Sequence, residues 1–147
     1  MTSLNVPKRM ASRINFNGPN PANPFRPLDT PCWMWTGRLD PRGRGRYGGA
    51  SSYRVIYEKF IGPVPDGLEL DHVCRTPACV NPDHLEPVTN VENMRRHYMT
   101  VTHCKNGHPF DEANTYQRTE RCIGRRSCRA CNREAVARYA SRKRRAA

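Results

Sequence analysis

Apolar positions along the chain come in short bursts separated by polar or Pro/Gly-rich stretches, and a few of the bursts carry a readable period. Tyr53, Ile56, Tyr57 and Phe60 fall at i, i+3, i+4 and i+7, which puts them on one face of a helix. Ser51 or Ser52 opens that helix, and Gly62-Pro63 stops it. The runs LELDHV, from Leu68, and LEPV, from Leu85, read as strands on either side of the loop CRTPACVNPDH. Thr89 and Glu92 then stand at the spacing of a capping box, predicting a helix from about Asn90 to about Met99. Upstream, the aromatics of CWMWTG and the run YGGAS predict two short strands joined by the Gly/Arg loop Arg38–Arg46. The ends read differently. Met1 to Asp29 is rich in Asn and Pro without a period, as a flexible arm would be. After His103, HCKNGHPF and SCRACNR bracket a polar, hairpin-like segment, and an Ala/Arg helix runs from about Asn132 to Ala147. No segment repeats. The resulting division is an arm (1–29), a central domain (30–100), a smaller module (101–134) and a basic tail (135–147).

Composition narrows what holds these elements together. Only 37% of the 147 residues are hydrophobic, yet seven are cysteine. A thin core of that kind needs staples. The first residues, MTSLNVPKRMASR, lack the apolar stretch of a secretory signal, so a reducing cytoplasm is the expected setting and metal the expected use of the thiols. No apolar run approaches the roughly 20 residues that cross a bilayer. The net charge of +12 makes a polyanion the first partner to consider, against a merely solubilising surface.

Two clusters fit zinc. Cys74, Cys79 and His84 follow one another at intervals of four intervening residues, and Cys32, beside the paired tryptophans, is the best fourth ligand. Cys104-x3-His108 and Cys128-x2-Cys131 flank the hairpin-like segment, the usual plan of a zinc ribbon or knuckle. Cys122 is the odd thiol, able to replace Cys128 if the hairpin register differs. His72 is then left over at a strand end beside Asp71, with Asn93 one turn into the next helix. A histidine could activate water for phosphodiester hydrolysis, and the oxygens of Asp71 and Asn93 suit magnesium. On residue types alone, a surface pair or a core hydrogen bond is the commoner use of such a His-Asp neighbour.

The stretch LELDHVCRTPACVNPDHLEPVTNVEN resembles the HNH endonucleases of the ββα-metal, or His-Me finger, group. It is similar most of all to the His-Cys box homing nucleases and the small phage HNH proteins. The DH pair, the Cys-x4-Cys-x4-His loop and an asparagine 21 residues after His72 carry the likeness. CWMWTG, YRVIYE and CKNGHPF…CRAC extend it over about Cys32 to Arg133. The resemblance implies an α+β fold: a small zinc-stabilised ββα-metal core with a C-terminal zinc ribbon or knuckle and a basic helical tail. It implies a metal-dependent DNA endonuclease of a phage or mobile element, acting in the host cytoplasm. His72 would be the general base, its backbone carbonyl oriented within the zinc-braced loop. Asn93 and Asp71 would hold Mg2+ or another divalent cation, and the two structural zinc ions would do no chemistry. Arg54 is the candidate at the scissile phosphate, with Arg46 and Arg75 as rivals. His84 stands where plain HNH sequences have their middle asparagine, so it is read as a zinc ligand. His97, one turn past Asn93, is either a solvated helix residue or a neighbour of the site. Double-stranded DNA is the expected partner, met by Arg42, Arg44, Arg46, Arg125, Arg126, Arg142 and Arg144. Cutting both strands would take a homodimer or successive nicks. The rival readings are a non-catalytic zinc-dependent regulator and a packaging accessory.

Overall fold

In the computed structural model, described for residues 6–21, 25–117 and 126–145, the chain divides into two compact units, Met1–Thr89 and Asn90–Ala147. Cys122 and Arg125 lie outside the described residues. The α and β mixture matches the expected class.

The first unit begins with a correction. The stretch taken for a flexible arm holds a short helix, α1 (Lys8–Ala11), and a strand, β1 (Ile14–Asn15), paired antiparallel with β2 (Met34–Trp35). Its Val6, Met10 and Ile14 are buried with Trp33, Trp35, Ile56 and Val80. The apolar residues are too sparse along the arm to give a period, but they meet two tryptophans, whose large faces reward even a few contacts. Phe16 sits edge-on to Trp33 at 5.1 Å between ring centroids.

The run YGGAS forms a whole hairpin rather than one strand. β3 (Arg46–Tyr47) pairs with β4 (Ala50–Ser51) across Gly48-Gly49. Both glycines have positive φ, 54° and 85°, as a two-residue turn that matches strand twist requires. Helix α2 (Ser52–Phe60) follows, with Ser51 as N-cap though its side chain makes no capping bond. Ile56 and Tyr57 are buried and Tyr53 and Phe60 partly so, as the period predicts.

β5 (Leu68–His72) and β6 (Leu85–Thr89) form an antiparallel hairpin in which His72 faces Leu85 and Asp71 faces Glu86. Between them, the loop closes through a 3-10 turn, Pro82–His84, capped by the Asn81 side chain accepting from Asp83 N.

The second unit opens with α3 (Asn90–Thr100), which matches the predicted helix to within a residue. β7 (Thr115–Gln117) and β8 (Arg126–Cys128) make the hairpin, and α4 (Arg129–Arg145) starts three residues before the expected Asn132. Among its described residues Cys128 is the sole buried one. A fold with so little apolar burial needs another source of stability.

Candidate active site and metal centres

The four residues of each sequence-predicted cluster converge. The ligand atoms of Cys32, Cys74, Cys79 and His84 all lie within 4.8 Å of one another, as do those of Cys104, His108, Cys128 and Cys131. All six of these cysteines are free thiols. Three thiols and an imidazole at such distances are a zinc donor set.

In the first centre, Cys32 Sγ and Cys79 Sγ each lie 3.5 Å from His84 Nδ1. With Nδ1 turned to the thiols, His84 Nε2–H donates to Thr30 Oγ1 at 3.1 Å, and Asn81 Nδ2 donates to the same oxygen. Asn81 is fully buried and also donates to Pro31 O, 2.9 Å away. Such outer partners orient a ligating histidine. The hydrogen bond with Cys79 draws the Cys74 thiol down to about 3, while Cys79 and the buried Cys32 are pushed up. One thiolate is thus already favoured, and a bound cation would stabilise the others.

The second centre is more open. His108 Nδ1 lies 3.4 Å from Cys131 Sγ and 3.6 Å from Cys104 Sγ and Cys128 Sγ. Its Nε2 faces Glu134 at 3.7 Å. Asn106 and Asn114 side chains donate to the sulfurs of Cys131 and Cys128, each at 3.3 Å. The backbone N–H of Cys131 draws the Cys128 thiol down to about 6. Gly107, with φ of 80°, makes the tight turn that brings Cys104 N to His108 O.

His72 ends β5, half-buried, with Tyr53 edge-on to its ring at 4.7 Å between centroids. Its Nε2 lies 3.0 Å from the Cys79 carbonyl oxygen. A carbonyl can only accept, so Nε2 carries the proton and Nδ1 keeps the lone pair. Burial pushes the imidazole pKa below its ordinary value, which favours that neutral form. The Cys79 segment is itself pinned: Cys79 bridges to Met34, Val80 N donates to Trp33 O, and Trp35 N to Ala78 O. A member of the first Cys/His cluster and the histidine's positioning carbonyl are therefore one residue.

Asp71 is buried, and Arg75 Nη1 donates to its Oδ1 at 2.8 Å. Arg75 sits at φ 56°, a left-handed conformation unusual outside glycine. Its guanidinium lies over the Phe25 ring, 4.9 Å from the centroid. Arg54, the first choice for a phosphate contact, is exposed on α2 and paired to Glu58 at 2.7 Å. Arg126 donates to the carbonyls of Tyr98 and Val101 and stacks on Phe110 at 4.6 Å, so it closes the end of α3. Arg42 and Arg44 lie on a loop whose backbone amides bond Asp40. Arg142 and Arg144 are exposed on α4. Asn93 is half-buried in α3, and His97 is exposed against Tyr98.

Thr30, Asn81, Asn106 and Asn114 were not singled out from sequence, and Tyr53 only as a member of the apolar face of α2. Only Asn81 carried a local signal, since Asn-Pro-Asp is a helix-start pattern. The others act across long separations.

The class these features point to is the HNH endonucleases, whose family model matches residues 53–95. That segment runs from α2 through the β5–β6 hairpin and its zinc loop into α3. Protein 7.7 of Escherichia phage T7 is 40% identical over 70 residues, covering 43% of this chain and 54% of that protein. The Uncharacterized gene 5.3 protein of Enterobacteria phage T3 is 44% identical over 34 residues, 23% of this chain and 34% of that protein. The chain thus spans about half the length of the first relative and about a third of the second. No solved structure matches. No helix among the described residues is long and apolar enough to cross a membrane.

Proposed function

We propose that the protein is a metal-dependent endonuclease that hydrolyses phosphodiester bonds of double-stranded DNA, with His72 as general base. The observation that carries this reading is the His72 Nε2–H···O=C bond to Cys79, which leaves Nδ1 as the proton acceptor. Cys32, Cys74, Cys79 and His84 would hold one zinc ion, and Cys104, His108, Cys128 and Cys131 a second. Their role is to brace the loop that supplies the Cys79 carbonyl and to hold the second unit together. Asp71 is assigned to a divalent cation, Mg2+ or another. When bound, that cation neutralises charge on the phosphate and the leaving oxygen. His72 takes the proton of the attacking water, and the Cys79 carbonyl holds the ring through Nε2–H so that Nδ1 is left as the acceptor. Among the arginines, Arg54 is the proposed phosphate neighbour, with Arg46 and Arg75 as rivals; Arg54 is paired to Glu58 and Arg75 to Asp71. The family's phage relatives support action in a host cytoplasm; the homing role and dimerisation rest on the resemblance alone.

Nicking of a supercoiled plasmid in magnesium tests the reading. The wild type should relax the plasmid, and His72→Ala should be slower by a factor on the order of 100 or more. Equal rates for the two proteins would remove His72 from catalysis. Tight DNA binding without nicking by the wild type would instead favour the regulator.

A further inference from the structure

Away from His72, the first unit carries a basic concavity of about 420 Å3 lined by Arg13, Arg38 and Arg46, with Asp40 and the Gly48-Gly49 turn. Arg38 and Arg46 stand at the two ends of one loop and Arg13 just before β1, and the backbone ties them together. Arg46 N donates to Arg38 O at 2.9 Å, and Thr36 N to Arg13 O at 2.8 Å. Arg13 N in turn donates to Met10 O at the end of α1. None of the three guanidiniums is in an ion pair among the described residues. The one carboxylate of the concavity, Asp40, already accepts the backbone N–H groups of Arg42 and Arg44 at 2.8 and 2.9 Å. Positive charge is therefore left over, in a hollow whose floor is partly glycine.

We infer that this concavity is a backbone-phosphate anchor for duplex DNA, formed by Arg13, Arg38 and Arg46. The inference rests on the endonuclease reading and deepens it. Guanidinium forks match phosphate oxygens in shape and charge. The absence of Cβ atoms at Gly48 and Gly49 lets a bulky polyanion approach closely. The concavity offers no ring face for a base, because Tyr47 beside it lies against Trp35 at 5.9 Å and under Arg13 at 6.0 Å between centres. Single-strand sites need such stacking platforms; a duplex backbone does not. The loop that carries Arg38 and Arg46 also runs against the zinc loop. A Cβ on Gly43 would lie 3.8 Å from Pro77 Cβ, between Cys74 and Cys79. The anchor thus continues toward the loop that positions His72. Arg13 lies in the stretch that sequence assigned to a flexible arm, where with Lys8, Arg9 and Arg26 it offers only a loose phosphate contact; the fold sets it beside Arg38 and Arg46.

The test is the salt dependence of binding to a short labelled duplex, without added magnesium, over roughly 50 to 200 mM salt. Each phosphate contact contributes about 0.9 to the slope of log affinity against log salt. Arg13→Gln/Arg38→Gln should therefore lower the slope by about 2, and affinity at low salt roughly tenfold or more, with zinc content and melting as in the wild type. Arg38→Gln alone changes an exposed side chain and should lower the slope by about 1, while Arg38→Lys should keep it. An unchanged slope in Arg38→Gln and in the double variant overturns the anchor. Binding of polyglutamate as tight as that of the duplex also overturns it, in favour of an acidic protein partner. Nicking by the wild type with an unchanged slope in the variants removes the anchor alone. A lowered slope in a wild-type background that does not nick removes the catalytic reading alone. Failure of the wild type to bind duplex DNA removes both.

Discussion

The bond between His72 Nε2 and the Cys79 carbonyl is a residue-scale device with two consequences. It selects the tautomer, and it makes the ring's placement depend on a backbone segment that carries a member of the first Cys/His cluster and bridges to β2. Gly45 is a second position where one atom decides. Its added Cβ would lie 2.1 Å from Ser52 Oγ and 2.7 Å from the Trp35 ring. Neither neighbour is free to retreat, since both Ser52 and Trp35 are buried. Gly45→Ala is therefore expected to cost about 1–3 kcal/mol through overpacking, read as a lower denaturant midpoint with an unchanged slope. A stability equal to wild type would show that the loop Arg38–Arg46 yields instead. Sequence marks Gly45 only as part of a Gly/Arg loop. Its role comes from α2 packing against the tryptophan, which no local pattern records.

At the scale of elements, the end of α3 draws on a basic side chain from another element. Arg126 starts β8, in a stretch of basic residues, and read alone it belongs to a phosphate-binding surface. In the fold its guanidinium donates to the Tyr98 and Val101 carbonyls at the end of α3, which need donors. Arg126→Met keeps the stem over Phe110 and removes the donors. It should destabilise the protein by about 1.5–3 kcal/mol, the range for hydrogen bonds to a charged group. The salt slope of duplex binding should not move, and a fall of about 1 would return Arg126 to the DNA surface. Helix α2 is the opposite case. Its apolar face was legible because Tyr53, Ile56, Tyr57 and Phe60 serve the core, and Tyr53 additionally meets His72.

For the whole molecule, metal is expected to carry stability that apolar burial cannot. The second unit has no buried residue but Cys128 among those described. The apparent binding free energy of a structural zinc is on the order of 10–16 kcal/mol, comparable to the roughly 5–15 kcal/mol net stability of an entire domain. The purified protein should therefore contain two zinc ions per chain, measured by elemental analysis. A strong chelator should abolish cooperative unfolding and much of the helical circular dichroism. Retention of a cooperative transition after complete zinc removal would show that the clusters are free thiols and that the core suffices.

Sequence alone determined the elements with a period or a capping pattern, the two Cys/His clusters, and the His72-Asp71 pair. Each of these is written in residues close along the chain, apart from Cys32, which was found by its company. Tertiary structure decided what joins distant segments. It drew Val6, Met10 and Ile14 out of a Pro- and Asn-rich stretch into a core around Trp33 and Trp35. It set Thr30 and Asn81 behind His84, Arg75 on Asp71, and Arg13 beside Arg38 and Arg46. A local pattern reports only what the neighbouring backbone repeats, whereas these contacts are fixed by burial and charge once separate segments have met.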